Sequence, residues 1–168
     1  MKSIVIYASR YGNTRRLAES IAEALHTRGE VELLPADEAH GIVTTGANLL
    51  VIGGPTEVHA MTPSVVQLFS SIERGSLRDM PAAAFDTRIR AARWLSGSAA
   101  SGIARKLRRA GAKLIVGEES FFVAGRANPS TGESPELEPG ELERANTWAA
   151  SLADIVETSS PRVPGKTV

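Results

Sequence analysis

Five short strand-like runs, at residues 4–8, 30–34, 48–52, 82–85 and 113–116, alternate along this chain with stretches whose apolar residues recur at helical spacing. Such alternation, sustained through the chain, predicts an α/β domain. Its parallel sheet is covered on both faces by crossover helices, which makes a three-layer sandwich. The first, third and fifth runs are apolar almost throughout, as strands buried on both sides are.

The helices follow from their stripes and their stops. Residues 13–28 place Leu17, Ile21, Ala24 and Leu25 on one face, and Gly29 ends the helix. Residues 36–40 form at most a helical turn. Thr62-Pro63 opens the next helix with an N-cap and a proline at the first position, and Val65, Val66, Phe69 and Ile72 make its buried side. Ser98 caps a helix that runs to Ala110, with Ile103, Ala104 and Leu107 inward and Gly111 as its stop. Leu142, Ala145, Trp148, Leu152 and Ile155 mark the last one, which makes Trp148 a core residue. Phe121–Val123 extend the fifth strand past a break at residues 117–120. Residues 124–140, rich in Gly, Pro, Ser and Glu, read as a loop of no evident purpose. Residues 1–157 make one domain and residues 158–168 a flexible C-terminal tail.

Composition removes several function classes. The chain has no cysteine, so disulfides, thiol redox chemistry and Cys-ligated metals are out. His26, His40 and His59 are too scattered for a metal site. No apolar run approaches the roughly 20 residues of a membrane span, and no secretory leader is evident. A cytoplasmic protein without membrane insertion is expected. Lys and Arg number 19, as do Asp and Glu, so no net field draws nucleic acid. Charge is uneven locally: Arg88, Arg90, Arg93, Arg105, Lys106, Arg108, Arg109 and Lys113 precede an acidic stretch from Glu118 to Glu143. No aromatics interleave with those basics, and the segments read as solvated faces.

Chemistry concentrates where the first strand ends. Ser9-Arg10-Tyr11-Gly12-Asn13-Thr14 sets four short polar side chains around a glycine, and a helix begins at once. Free N–H groups and the positive end of the helix dipole face that loop, which makes it an anion site needing no lysine. A plain N-cap needs one polar residue, not four. Neither G-x-x-x-x-G-K-[ST] nor G-x-G-x-x-G follows the strand, which argues against a triphosphate or a dinucleotide.

This loop resembles the FMN phosphate loop of the flavodoxin family, a [TS]-x-[TY]-G-N-T pattern at the same place in the fold. Gly53-Gly54-Pro55-Thr56 resembles the start of that family's second FMN loop, and the segment after Phe85-Asp86-Thr87 stands where the third lies. The resemblance spans about residues 2–156. It implies a five-stranded parallel sheet in the order 2-1-3-4-5 and noncovalent FMN passing through one- and two-electron reduced states. Carried across, Ser9, Asn13 and Thr14, with the backbone N–H groups of residues 10–14 (Arg10, Tyr11 and Gly12 among them), bind the phosphate. Pro55, Thr56, Glu57, Val58 and His59 on one side, and Thr87, Arg88 and Trp94 on the other, enclose the isoalloxazine. His59 is either a flavin contact or a surface imidazole, and Trp94 either stacks on the ring or fills the sheet edge.

The sequence departs from the family by offering no Trp or Tyr in the second loop, and by placing Arg88, Arg90 and Arg93 in the third. One guanidinium about 6 Å from the ring at an effective dielectric near 20 is worth about 2–3 kcal/mol. On that basis the fully reduced flavin is expected to be less reducing, by about a tenth of a volt, than in an acidic flavodoxin. The implied function is electron transfer between a reductase and a redox partner, by a monomer or weak dimer with no catalytic residue of its own. An FMN-dependent NAD(P)H:quinone-type oxidoreductase and an interaction domain without FMN are the rivals.

Overall fold

The computed structural model describes residues 1–39, 46–57, 61–90, 97–125, 127–128 and 130–159. Strand β1 (Lys2–Tyr7) lies between β2 (Glu30–Pro35) and β3 (Leu49–Pro55), parallel to both. Next to β3 runs β4 (Pro81–Ile89), also parallel. The fifth position is filled by two pieces. β5 (Lys113–Leu114) pairs with the start of β4, and β6 (Glu119–Ala124) pairs with its end, from Phe85↔Glu119 to Ile89↔Val123. The order 2-1-3-4-5 therefore holds with a divided fifth strand, and the interruption falls at residues 115–118 rather than 117–120. A further strand, β7 (Glu136–Leu137), adds antiparallel to β6 and makes the sheet seven-stranded.

Helices α1 (Asn13–His26) and α4 (Glu141–Ser159) cover one face, and α2 (Pro63–Ser71) and α3 (Ala99–Arg109) the other. Alternate residues of one strand thus enter different cores. Ile4 and Ile6 pack with Val65, Leu68 and Ile103, whereas Val5 packs with Leu17, Ile21 and Leu152. No helix among the described residues is long and apolar enough to cross a membrane.

Several boundaries differ from the sequence reading. β3 continues through Gly53-Gly54-Pro55 and β4 through Asp86-Thr87-Arg88-Ile89, because the neighbouring strands and the helix N-termini satisfy their polar groups. On α2 the buried stripe is Val65, Leu68 and Phe69, and Val66 is 42% exposed, since one residue along a helix turns the side chain by about 100°. On α4 Val156 is buried in place of Ile155. That helix runs through Ser159, so residues 158 and 159 belong to it and not to a tail. Residues 36–38 form a turn, with Ala36 N–H bonded to Tyr7 O at 2.8 Å.

The segment read as an idle loop closes the edge of the sheet. Glu138 N–H donates to Phe122 O at 3.0 Å, and Phe122 N–H donates to the nearly buried Glu141 carboxylate at 2.9 Å. Arg144 binds Glu141 and Glu119, donates to Ser120 O, and lies 4.4 Å from the centre of the Phe121 ring. Burial would lower the Arg144 guanidinium pKa, but the hydrogen bonds to Glu141 and Glu119 outweigh it and raise it above its ordinary value. Replacing Glu141 with Ala leaves the Phe122 N–H without its acceptor and removes one of the carboxylates that hold Arg144. It should cost about 1–3 kcal/mol, read as a lower urea midpoint. An unchanged midpoint would mean that this closure contributes nothing to stability.

Candidate functional site

The turn between β1 and α1 is built around one glycine. Gly12 sits at φ 86°, ψ −17°, as the N-cap of α1. A Cβ there would meet no protein atom within 4 Å, so conformation and not protein crowding requires the glycine. No acidic residue occupies the first turn of α1, which leaves its positive end unopposed. Among the described residues, no acceptor takes the backbone N–H of residues 10–15, and the first intrahelical bond is donated by Arg16 N–H to Gly12 O.

The side chains that follow have other work. Thr14 is 1% exposed, and its hydroxyl shares a hydrogen bond with that of Thr87 at 2.8 Å. Asn13 is 8% exposed, and its Nδ2 donates to Pro135 O at 2.6 Å. Both therefore pin the loop to distant parts of the chain. What the loop presents outward is its backbone, the exposed Ser9 hydroxyl and the exposed ring of Tyr11. Arg10 stacks 5.4 Å from the centre of the Tyr11 ring and reaches Glu57 at 3.5 Å, linking the first loop to the second.

An open hollow of about 410 Å³ adjoins this turn, lined by residues that include Ser9, Gly12, Arg15, Asp37 and Ser64. Asp37 and Ser64 were not singled out in the sequence. Asp37 follows the end of β2, the position at which an α/β sheet exposes its ligand-facing loops.

The second and third loops start from a shared polar hub. Pro55 ends β3 opposite Thr87, and Thr56 N–H donates to Thr87 O at 2.8 Å. The Thr56 hydroxyl points inward, donating to Asp86 Oδ2 at 3.1 Å and accepting from Ala99 N–H at 2.9 Å. Asp86 is fully buried. Its Oδ2 also accepts from Ser98 Oγ at 2.7 Å and from Ala100 N–H at 3.0 Å, at the positive end of α3. Its Oδ1 is buried with no partner among the described residues. Sequence reasoning passed over Asp86. The available signal was a carboxylate inside an apolar strand, twelve residues before a serine N-cap.

Arg88 is half-buried, with its guanidinium 5.2 Å from the Phe122 ring centre. Arg90 lies 4.1 Å from the same ring and pairs with Glu138 at 2.7 Å, and the hydrogen bond to Glu138 raises its pKa above the ordinary guanidinium value. The sequence reading took these arginines as uncompensated charge. Glu138 pairs with Arg90 and offsets its charge. Val58, His59, Arg93 and Trp94 lie outside the described residues.

A family model described as a flavodoxin domain matches residues 4–95, more than half of the chain. No curated protein matches the sequence. The fold is similar to that of a flavodoxin from the domain Archaea, with 19% identity, a TM-score of 0.69 and coverage of 94% of this chain and 99% of that one. It is similar also to oxidised Flavodoxin 2 from Bacillus cereus, at 18% identity and TM-score 0.74, covering 92% of this chain and 99% of the other. The flavodiiron protein from Giardia intestinalis matches at 22% identity and TM-score 0.71, over 94% of this chain but 36% of its own. With the order 2-1-3-4-5, a glycine-capped turn after β1 and a family match that includes that turn, the chain belongs to the flavodoxin domain family.

Proposed function

We propose that the protein binds FMN noncovalently and carries electrons between a reductase and a redox partner. One observation carries this reading: the uncommitted N–H groups of residues 10–15 at the unopposed N-terminus of α1. A phosphate dianion needs several convergent donors, and this turn supplies them without a cation. The backbone of residues 10–14 and the Ser9 hydroxyl hold the phosphate. Asn13 and Thr14 keep the turn in shape through Pro135 and Thr87. Asp37 and Ser64 line the adjoining hollow and offer oxygen acceptors to the ribityl hydroxyls. The loops that follow Thr56 and Thr87 flank the ring, their starting points set by the Asp86 hub. The flavin, when bound, supplies one- and two-electron transfer, and the chain supplies orientation and field.

The carrier reading is preferred to the NAD(P)H-dependent enzyme because Arg90 is occupied by Glu138 and the Arg88 guanidinium lies over Phe122. Neither stands ready for a nucleotide phosphate. Fluorescence titration with FMN and riboflavin tests the proposal. FMN should bind about 100-fold more tightly, about 2.7 kcal/mol from the phosphate. Asn13→Ala with Thr14→Val should reduce that ratio by about tenfold and leave riboflavin affinity nearly unchanged. Equal affinity for the two flavins would remove the phosphate turn from the account. Rapid flavin bleaching by NAD(P)H without a reductase would replace the carrier with the enzyme.

A further inference from the structure

A second hollow, of about 460 Å³, lies at the opposite end of the sheet from the phosphate turn, between the C-terminal ends of α2 and α3. The two connections that leave these helices toward β4 and β5 are tied together there, Leu77 N–H donating to Ala110 O and Asp79 N–H to Gly111 O, both at 3.0 Å. Phe69, Ile72 and Ala110 form its apolar lining and pack on the core. Arg74 enters from one side, and Lys106 and Arg109 from the other.

The charged side chains that line the hollow are all cations. Arg10, Arg15, Arg28, Arg90, Arg108 and Arg144 all reach carboxylates, whereas Arg74, Lys106 and Arg109 form no ion pair among the described residues. Neither α2 nor α3 carries an acidic residue, and the nearest in sequence, Glu73 and Asp79, do not line the hollow. The bland explanation is that cations neutralise helix C-termini. Each such end carries about half a negative charge. Two ends offset about one of the three cations, which leaves about two positive charges over an apolar floor. The volume falls within the range of small-ligand sites, about 300–1,000 Å³.

We propose that this hollow binds a small anion with an apolar body, an aryl or alkyl phosphate or sulfonate. Its head is held by Arg74, Lys106 and Arg109, and its body lies on Phe69 and Ile72. The site is independent of the flavin proposal. 1-Naphthyl phosphate is the probe, titrated by calorimetry at low salt with and without saturating FMN. The expected result is saturable binding, unaffected by FMN and at least about tenfold tighter than that of either inorganic phosphate or 1-naphthol. Arg74→Glu with Arg109→Glu, both at exposed positions, should weaken it by about tenfold or more. Lys106→Gln serves as a second, milder variant should the double reversal alter the melting temperature. Absence of binding, displacement by FMN, affinity no better than inorganic phosphate, or binding unchanged in folded variants would each overturn the proposal.

Discussion

Gly53→Ala should destabilise the domain by about 3 kcal/mol, although it adds one methyl group to a strand. Gly53 faces Phe85 across the β3–β4 ladder, and a Cβ at Gly53 would overlap the Phe85 ring. The ring has nowhere to move. It is fully buried and stands edge-on to Phe121 at 6.0 Å and to Trp148 at 6.2 Å, which in turn meet each other at 6.0 Å. Phe85→Ala alone should cost about 3–5 kcal/mol, from lost burial and the cavity left behind. The decisive measurement is the double mutant. With the ring gone, the new methyl occupies vacated space, so the two losses should fall short of additivity by about 2 kcal/mol or more. Chemical denaturation of the four proteins measures this, and strictly additive losses would sink the steric account.

Asp86→Ala should have the second largest effect. It strips the Thr56 and Ser98 hydroxyls and the Ala100 N–H of their shared acceptor, and each buried donor left unsatisfied costs about 1–3 kcal/mol. Water entering the gap recovers part of this, so the expected net loss is about 3 kcal/mol. Asp86→Asn should lose less. Its Oδ1 can still accept, although its amide places donors where Oδ1 of the aspartate lies buried without a partner. The flavin readout separates this hub from the phosphate turn. Loosening the roots of the second and third loops should lower FMN and riboflavin affinity by the same factor, about tenfold. A loss confined to FMN would show that Asp86 acts through the phosphate turn and not through the ring.

The turn after β1 was legible in the sequence because its signal is local: strand, glycine and helix lie within ten consecutive residues. The roles of individual side chains there were not legible. The partner of Thr14 is 73 residues away and that of Asn13 is 122 residues away, and no local pattern announces either. The end of β4 was hidden for the same reason. Asp86 and Thr87 look like the start of a loop until the groups that satisfy them are brought alongside. Helix faces were read correctly at α1 and α3, where the stripe has one phase. At α2, consecutive valines offered two phases, and packing chose the one containing Leu68. The sheet order followed from the family pattern and the break in the fifth strand was read two residues late, but the antiparallel β7 depended on residues 124–144, whose composition resembles that of any exposed connection.

The closure of β6 by that segment also bears on solubility at high concentration. Phe122 has both backbone groups taken and Ser120 O is held by Arg144, so a second molecule has little there on which to template a strand. The opposite border, β2, is left as the place where such growth could begin. It carries the exposed carboxylates Glu30 and Glu32, and two copies brought border to border would repel each other before their backbones could pair.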